Sequence, residues 1–203
     1  PKEWITAFRI KKNDPLGVEV QRDGSLVISP KGALAKTPTK KEINVDDIED
    51  SEFLFRLLIG VYMKGYSLIV VRSKESIPSF ARECVIRFAQ TVIGPEVIEE
   101  DMNSITLKDL LNPVEMSFET AIRRMSILVR TMHEDAVKAL ETKNKSLAEE
   151  VIARDRDVDR LHWLLSRQFS LVLNDVTLCK KMGIEQEKAT FYFLIGRSME
   201  RAG

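Results

Sequence analysis

An excess of charge of either sign is missing from this chain: 31 Lys and Arg balance 31 Asp and Glu over 203 residues. A net charge of zero argues against a wholesale nucleic-acid or membrane binder and leaves room only for a local basic patch. Cysteine is scarce too. Cys84 and Cys179 each sit in a helix-like apolar pattern, with nothing at metal-ligand spacing. That excludes a disulfide framework and a zinc ribbon, and two isolated thiols suit a reducing cytosol. No apolar run reaches the roughly 18 residues of a membrane span, so no membrane insertion is expected. No secretory pattern opens the sequence. His133 and His162 are the only histidines, and G-x-S-x-G, H-E-x-x-H, P-loop and G-x-G-x-x-G patterns are all absent. A histidine-based hydrolytic site has little to work with, and a non-enzymatic role is expected. The chain opens at Pro1 without a methionine and stops at Gly203 inside a helical pattern, which reads as a piece of a longer protein.

Three segments of different periodicity remain. Over 1–45, Lys2-Glu3-Trp4-Ile5 reads as a helical turn. Gly17 to Gln21 alternates as a strand, Arg22-Asp23-Gly24-Ser25 supplies an Asp-Gly turn, and Leu26-Val27-Ile28 is a second strand. An isolated hairpin is marginal in water and needs a partner. Pro30, Gly32, Pro38 and the Lys36–Lys41 run read as linker, closed by strand-like Glu42 to Val45. Over 46–111 a small α/β domain is expected, with a helix from Ser51 to Lys64-Gly65 and a strand at Ser67–Val71. A helix opened by Pro78 and two further strands, Glu96–Glu100 and Ser104–Leu107, complete it. Over 112–203 the period becomes helical throughout, predicting an antiparallel three-helix bundle. Asn112-Pro113-Val114-Glu115 should start the first helix, and Ser146-Leu147-Ala148-Glu149 should cap the second. Asn174–Glu187 is a connection, and Ala189 to Met199 belong to the third.

The strongest candidate for chemistry is Asp155-Arg156-Asp157-Val158-Asp159 with His162 beyond. Measured from Val151, Asp155 lies about 40°, His162 about 20° and Asp159 about 80° around the helix. Two carboxylates and an imidazole thus border the core-facing stripe. Carboxylates at i and i+4 suit a hard or borderline cation, which offsets their mutual repulsion. Asp159 with His162 is also a carboxylate-x-x-His pair, a spacing used in di-metal bundles. The plainer alternative is a solvated face, with Arg154, Arg156 and Arg160 pairing the carboxylates. Arg197-Ser198-Met199-Glu200-Arg201 alone is an ordinary helix end. Met125 and Met132 at helical spacing, beside His133, read as core filler. Lys36, Lys40 and Lys41 could touch nucleic-acid phosphate but read first as solvated linker.

Taken together, Met125 with Met132 to Ala136, then Val151 to Leu161, then Arg197 to Gly203 resemble one repeat of the PhoU family of phosphate-uptake regulators. The resemblance implies that Asp155 and Asp159 form an acidic pair of the kind that binds clusters of iron or zinc. Glu200 matches the first half of a second such pair. Pro1-Lys2-Glu3-Trp4 and Val18 to Ile28 resemble the SpoVT-AbrB swapped-hairpin module of archaeal PhoU-like regulators, which implies a homodimer that binds DNA.

The expectation is therefore a mixed fold: an N-terminal β-hairpin module over 1–45, a small α/β domain over 46–111, and a PhoU-like helical repeat over 112–203. The function expected is cytoplasmic regulation of phosphate uptake and phosphate-responsive genes. Its partners would be phosphate ABC transporter components or a sensor protein, and its metal ligands Asp155, Asp159, His162 and Glu200. Two rivals stay open. One is a metal-dependent bundle enzyme or metal store on Asp155, Asp159 and His162; the other is a metal-free interaction scaffold.

Overall fold

A computed structural model describes residues 1–20, 24–30 and 39–203. The chain falls into two compact units, Pro1–Thr39 and Lys40–Gly203. In the first, helix α1 (Lys2–Ala7) precedes an antiparallel pair of strands, β1 (Leu16–Val20) and β2 (Leu26–Pro30), in a register that sets Val18 opposite Ile28. Arg22 and Asp23 of the expected turn lie outside the described residues, as do Gly32, Lys36 and Pro38 of the expected linker.

The second unit contains a four-stranded sheet of order β3-β4-β6-β5. Its strands are β3 (Lys40–Asn44), β4 (Leu68–Arg72), β5 (Pro95–Glu100) and β6 (Ser104–Asp109). β3 runs parallel to β4, and β6 runs antiparallel to both β4 and β5. Lys40 and Lys41, read from the sequence as linker, are thus strand residues paired with Leu68 and Ile69. Helix α2 (Ser51–Met63) joins the two parallel strands, and α3 (Ser79–Thr91) leads from β4 to β5. Alternate sheet residues Ile43, Ile69, Val71, Ile105 and Leu107 pack with Leu54, Leu58, Tyr62 and Phe88 of the helices in one apolar core. Each such fully buried side chain contributes about 1.5–3 kcal/mol relative to exposure.

The rest is helical: α4 (Phe118–Thr142), α5 (Lys145–Asn174), α6 (Val176–Lys181) and α7 (Gln186–Ala202). Helices α4, α5 and α7 pack against one another in all three pairings. The boundaries differ from the sequence reading in three places. Asn112 does accept a backbone N–H, but from Val114, closing a turn; Ser117 caps α4 by accepting from Thr120. The Met116 carbonyl between them accepts from the Gln168 side-chain amide, which draws it out of any helical ladder. Asn144, not Ser146, caps α5, because Lys143 already turns left-handed at φ 51° and delivers Asn144 to the Leu147 N–H. The Asn174–Glu187 connection holds α6, capped by Asp175 through the Leu178 N–H.

Lys40–Gly203 being one unit has a specific cause. Helix α5 is buried on two faces. Val158, Leu161, Leu165 and Val172 belong to the helical core, whereas Trp163 packs against the α/β core and meets Phe55 edge-on at 6.4 Å. Between the faces lies Arg167, only 3% exposed. Its guanidinium donates to the Tyr62 carbonyl at 2.6 Å and to the Asp109 carboxylate at 2.5 Å, and stacks 4.8 Å above the Tyr62 ring. At Gly65, φ is +87° and an added Cβ would come within 2.7 Å of Leu171, so the turn after α2 seats directly on α5. Leaving the Asp109 charge buried and unpaired by Arg167→Ala should cost about 3–5 kcal/mol. Urea unfolding followed by Trp163 fluorescence checks this. Arg167→Met with Asp109→Leu, which removes both charges, should cost less than either single change.

Candidate functional site

The acidic run of α5 faces α7 and is built by how the two helices approach. Gly196 of α7 is buried, and a Cβ there would stand 2.6 Å from Leu165 Cδ1. This close approach brings the second half of α7, with Arg197 and Glu200, alongside Asp155, Asp159 and His162. Asp155 is exposed, while Asp159, His162 and Glu200 are half-buried. The unequal exposure of the two aspartates follows from α5 having two neighbours: the Asp159 side of the helix is shielded, and Asp155 stays open to water.

The arginines of the same run do not neutralise this pair. Arg154 reaches across to Asp135 of α4 at 2.7 Å, and Arg160 pairs with Asp157 at 3.8 Å. Among the described residues Asp155 and Asp159 take part in no ion pair. Burial raises the Asp159 carboxyl above its ordinary value, and the charges of Asp155 and Glu200 push it further the same way. His162 is shifted the other way. Burial lowers its pKa; Glu200 opposes this and Arg197 reinforces it. The imidazole stacks near Phe193, 6.5 Å between ring centres, and Phe193 stacks in turn on Phe169 at 4.7 Å. The His162 Nδ1 is buried and has no hydrogen-bond partner.

The structure therefore gathers Asp155, Asp159, His162 and Glu200 at one α5–α7 edge, within electrostatic reach of each other. Among the described residues, however, no three His, Cys, Asp or Glu side chains stand close enough together to hold a metal ion. The donors are of the right kind for a borderline cation, carboxylate oxygens with an imidazole nitrogen, and their mutual repulsion is what a cation would relieve. The other histidine is engaged elsewhere: His133 Nε2 lies 2.6 Å from the Ala202 carbonyl oxygen, linking α4 to the end of α7. Met125 and Met132 are buried in the helical core.

The sequence reading missed Arg167, Gln168 and Asp109. One signal was available. From Leu161 to Leu165 the chain is apolar nearly all round, with Trp163 and Leu164 off the main stripe, and a helix apolar on two faces has two neighbours.

Raised acidity constants have a defined consequence for stability. In the unfolded chain Asp159 ionises near its ordinary 3.8. Its folded value is higher, so the folded state holds the proton longer and stability falls as pH rises through that window. Asp159→Asn removes this penalty. The variant should gain stability relative to the parent as pH rises from 4 to 7, read as a growing difference in urea midpoint; a difference independent of pH contradicts the assignment.

Two family models match the chain. Residues 122–203 match the PhoU domain, and residues 1–35 match the antidote-toxin recognition MazE, bacterial antitoxin. No curated protein matches, and no solved structure matches. The acidic edge of α5 and α7 thus lies within a PhoU-domain segment, in a chain whose first 35 residues are of the MazE/AbrB-like hairpin type.

Proposed function

We propose that the chain is a non-enzymatic regulator of phosphate uptake and of phosphate-responsive gene expression, acting in the cytoplasm. What carries the reading is the presence of a PhoU-domain segment and a MazE-type hairpin segment in one polypeptide. Both matched families are regulatory rather than enzymatic. No described helix is long and apolar enough to cross a membrane. The helical part would dock components of the phosphate ABC transporter or a sensor protein.

The hairpin would form the DNA-binding half as a homodimer. Leu16, Val18, Val20, Leu26, Val27 and Ile28 are each at least 40% exposed on two strands. Two strands cannot cover their own apolar faces, and a second copy can. Duplex DNA from upstream of phosphate-transport genes is the probe for this half. Its affinity should fall steeply with salt, since each phosphate neutralised adds about 0.9 to the slope. Val18→Asp should abolish both the hairpin dimer and the binding, and unchanged affinity would sink the DNA-binding role.

In the helical part, iron or zinc would be held by Asp155, Asp159 and Glu200, with His162 Nδ1 as the nitrogen donor. Supporting this are the unpaired Asp155 and Asp159, the raised Asp159 carboxyl and the orphan imidazole nitrogen. A bound cation would supply charge neutralisation along the α5–α7 edge. Metal analysis of protein equilibrated with Fe2+ or Zn2+ should give stoichiometric metal in the parent and little in the Asp155→Ala, Asp159→Ala double variant. Equal content in both would remove metal from the account.

A further inference from the structure

Helix α7 carries a second apolar stripe that the fold leaves unused. Its inner side is occupied: Ala189 and Gly196 are buried, and Tyr192 and Met199 pack on the helical core. On the outer side Phe191, Leu194 and Ile195 are 57%, 49% and 42% exposed. Together with Ser198 and Ala202 they fall within about 100° of arc, the width of a helix-packing face. Leu194, Ile195, Ser198, Met199 and Ala202 line a shallow depression of about 370 Å³.

We propose that this face is an interface with a second copy of the same chain, in which two α7 helices pack antiparallel about a two-fold axis between Leu194 and Ile195. The pattern is self-complementary. Antiparallel pairing about that point sets Leu194 against Ile195 of the second copy. It also sets Phe191, the one large ring of the stripe, against Ser198, so each ring enters the other copy's depression. The charges agree with the same register. Glu187 lies on the stripe at its first end and Arg201 borders it at its last, and antiparallel pairing brings the acid of one copy to the base of the other at both ends. Both are exposed, and among the described residues neither has an ion-pair partner within the chain. An isologous contact needs this kind of match, one patch complementary to itself under rotation. A parallel arrangement would set like charges together.

This interface is separate from the hairpin, and the test isolates it in the full chain. With Val18→Asp in the background to remove hairpin pairing, sedimentation equilibrium should still show a dimer. Phe191→Glu added to that background should give a monomer. Glu187→Arg or Arg201→Glu alone should raise the dissociation constant at least tenfold, and the double exchange should restore it. Leu194→Cys should form an intermolecular disulfide under mild oxidation. A monomeric Val18→Asp chain overturns the proposal and leaves the face to a foreign helix; failure of the double exchange to rescue overturns it as well.

Discussion

A single buried charge pair holds the second unit together. Arg167 reaches out of α5 into the α/β layer, where Asp109 at the end of β6 and the Tyr62 carbonyl at the end of α2 take its guanidinium. Ion pairs buried this deeply gain little net stability over apolar residues of the same shape. What they supply is position. The planar guanidinium accepts two partners in fixed directions, so it sets α5 on α2 and β6 in one orientation. Gln168 adds a second such contact, to the Met116 carbonyl, and so fixes where α4 begins.

The acidic edge depends on that placement. Because α5 is committed to the α/β layer on one side, its remaining faces must serve α4 and α7. Arg154 is spent on Asp135 of α4, and Arg160 on Asp157. Asp159 is left on the α7 side beside Glu200, half-buried and short of positive charge. The close approach at Gly196 completes the arrangement, since any side chain there would meet Leu165 and push α7 away. A site short of counter-charge in the folded chain is the property expected of a place that receives a cation from outside.

Much of this could be read in the sequence, and the failures share a physical origin. The helices of 118–202 declared themselves by their period, and the strands by β-branched runs such as Leu68–Val71. Asp155, Asp159 and His162 were found because their spacing lies along one helix. Glu200 came only through the family resemblance, since its closeness to Asp159 is a matter of how two helices cross. Capping was misplaced wherever two adjacent polar residues could do the same chemistry: Asn112 and Ser117 both accept backbone N–H groups, as could Asn144 or Ser146. The tertiary contact at Met116 and the left-handed turn at Lys143 decided between them. Lys40 and Lys41 carry no strand signature of their own and join the sheet only because β4 offers them a partner. Arg167 was invisible because a charged residue on a helix reads as surface until its partner, here 58 residues away in sequence, is known.

The central claim is that one buried clamp makes the sheet and the helices a single structural unit. Native-state hydrogen exchange measures it directly. The account predicts that the slowest amides of β4 and β6 and those of α5 around Leu164 and Leu165 open with the same free energy and respond equally to denaturant. Helical amides that exchange through an opening of their own, well below that of the sheet, would contradict it.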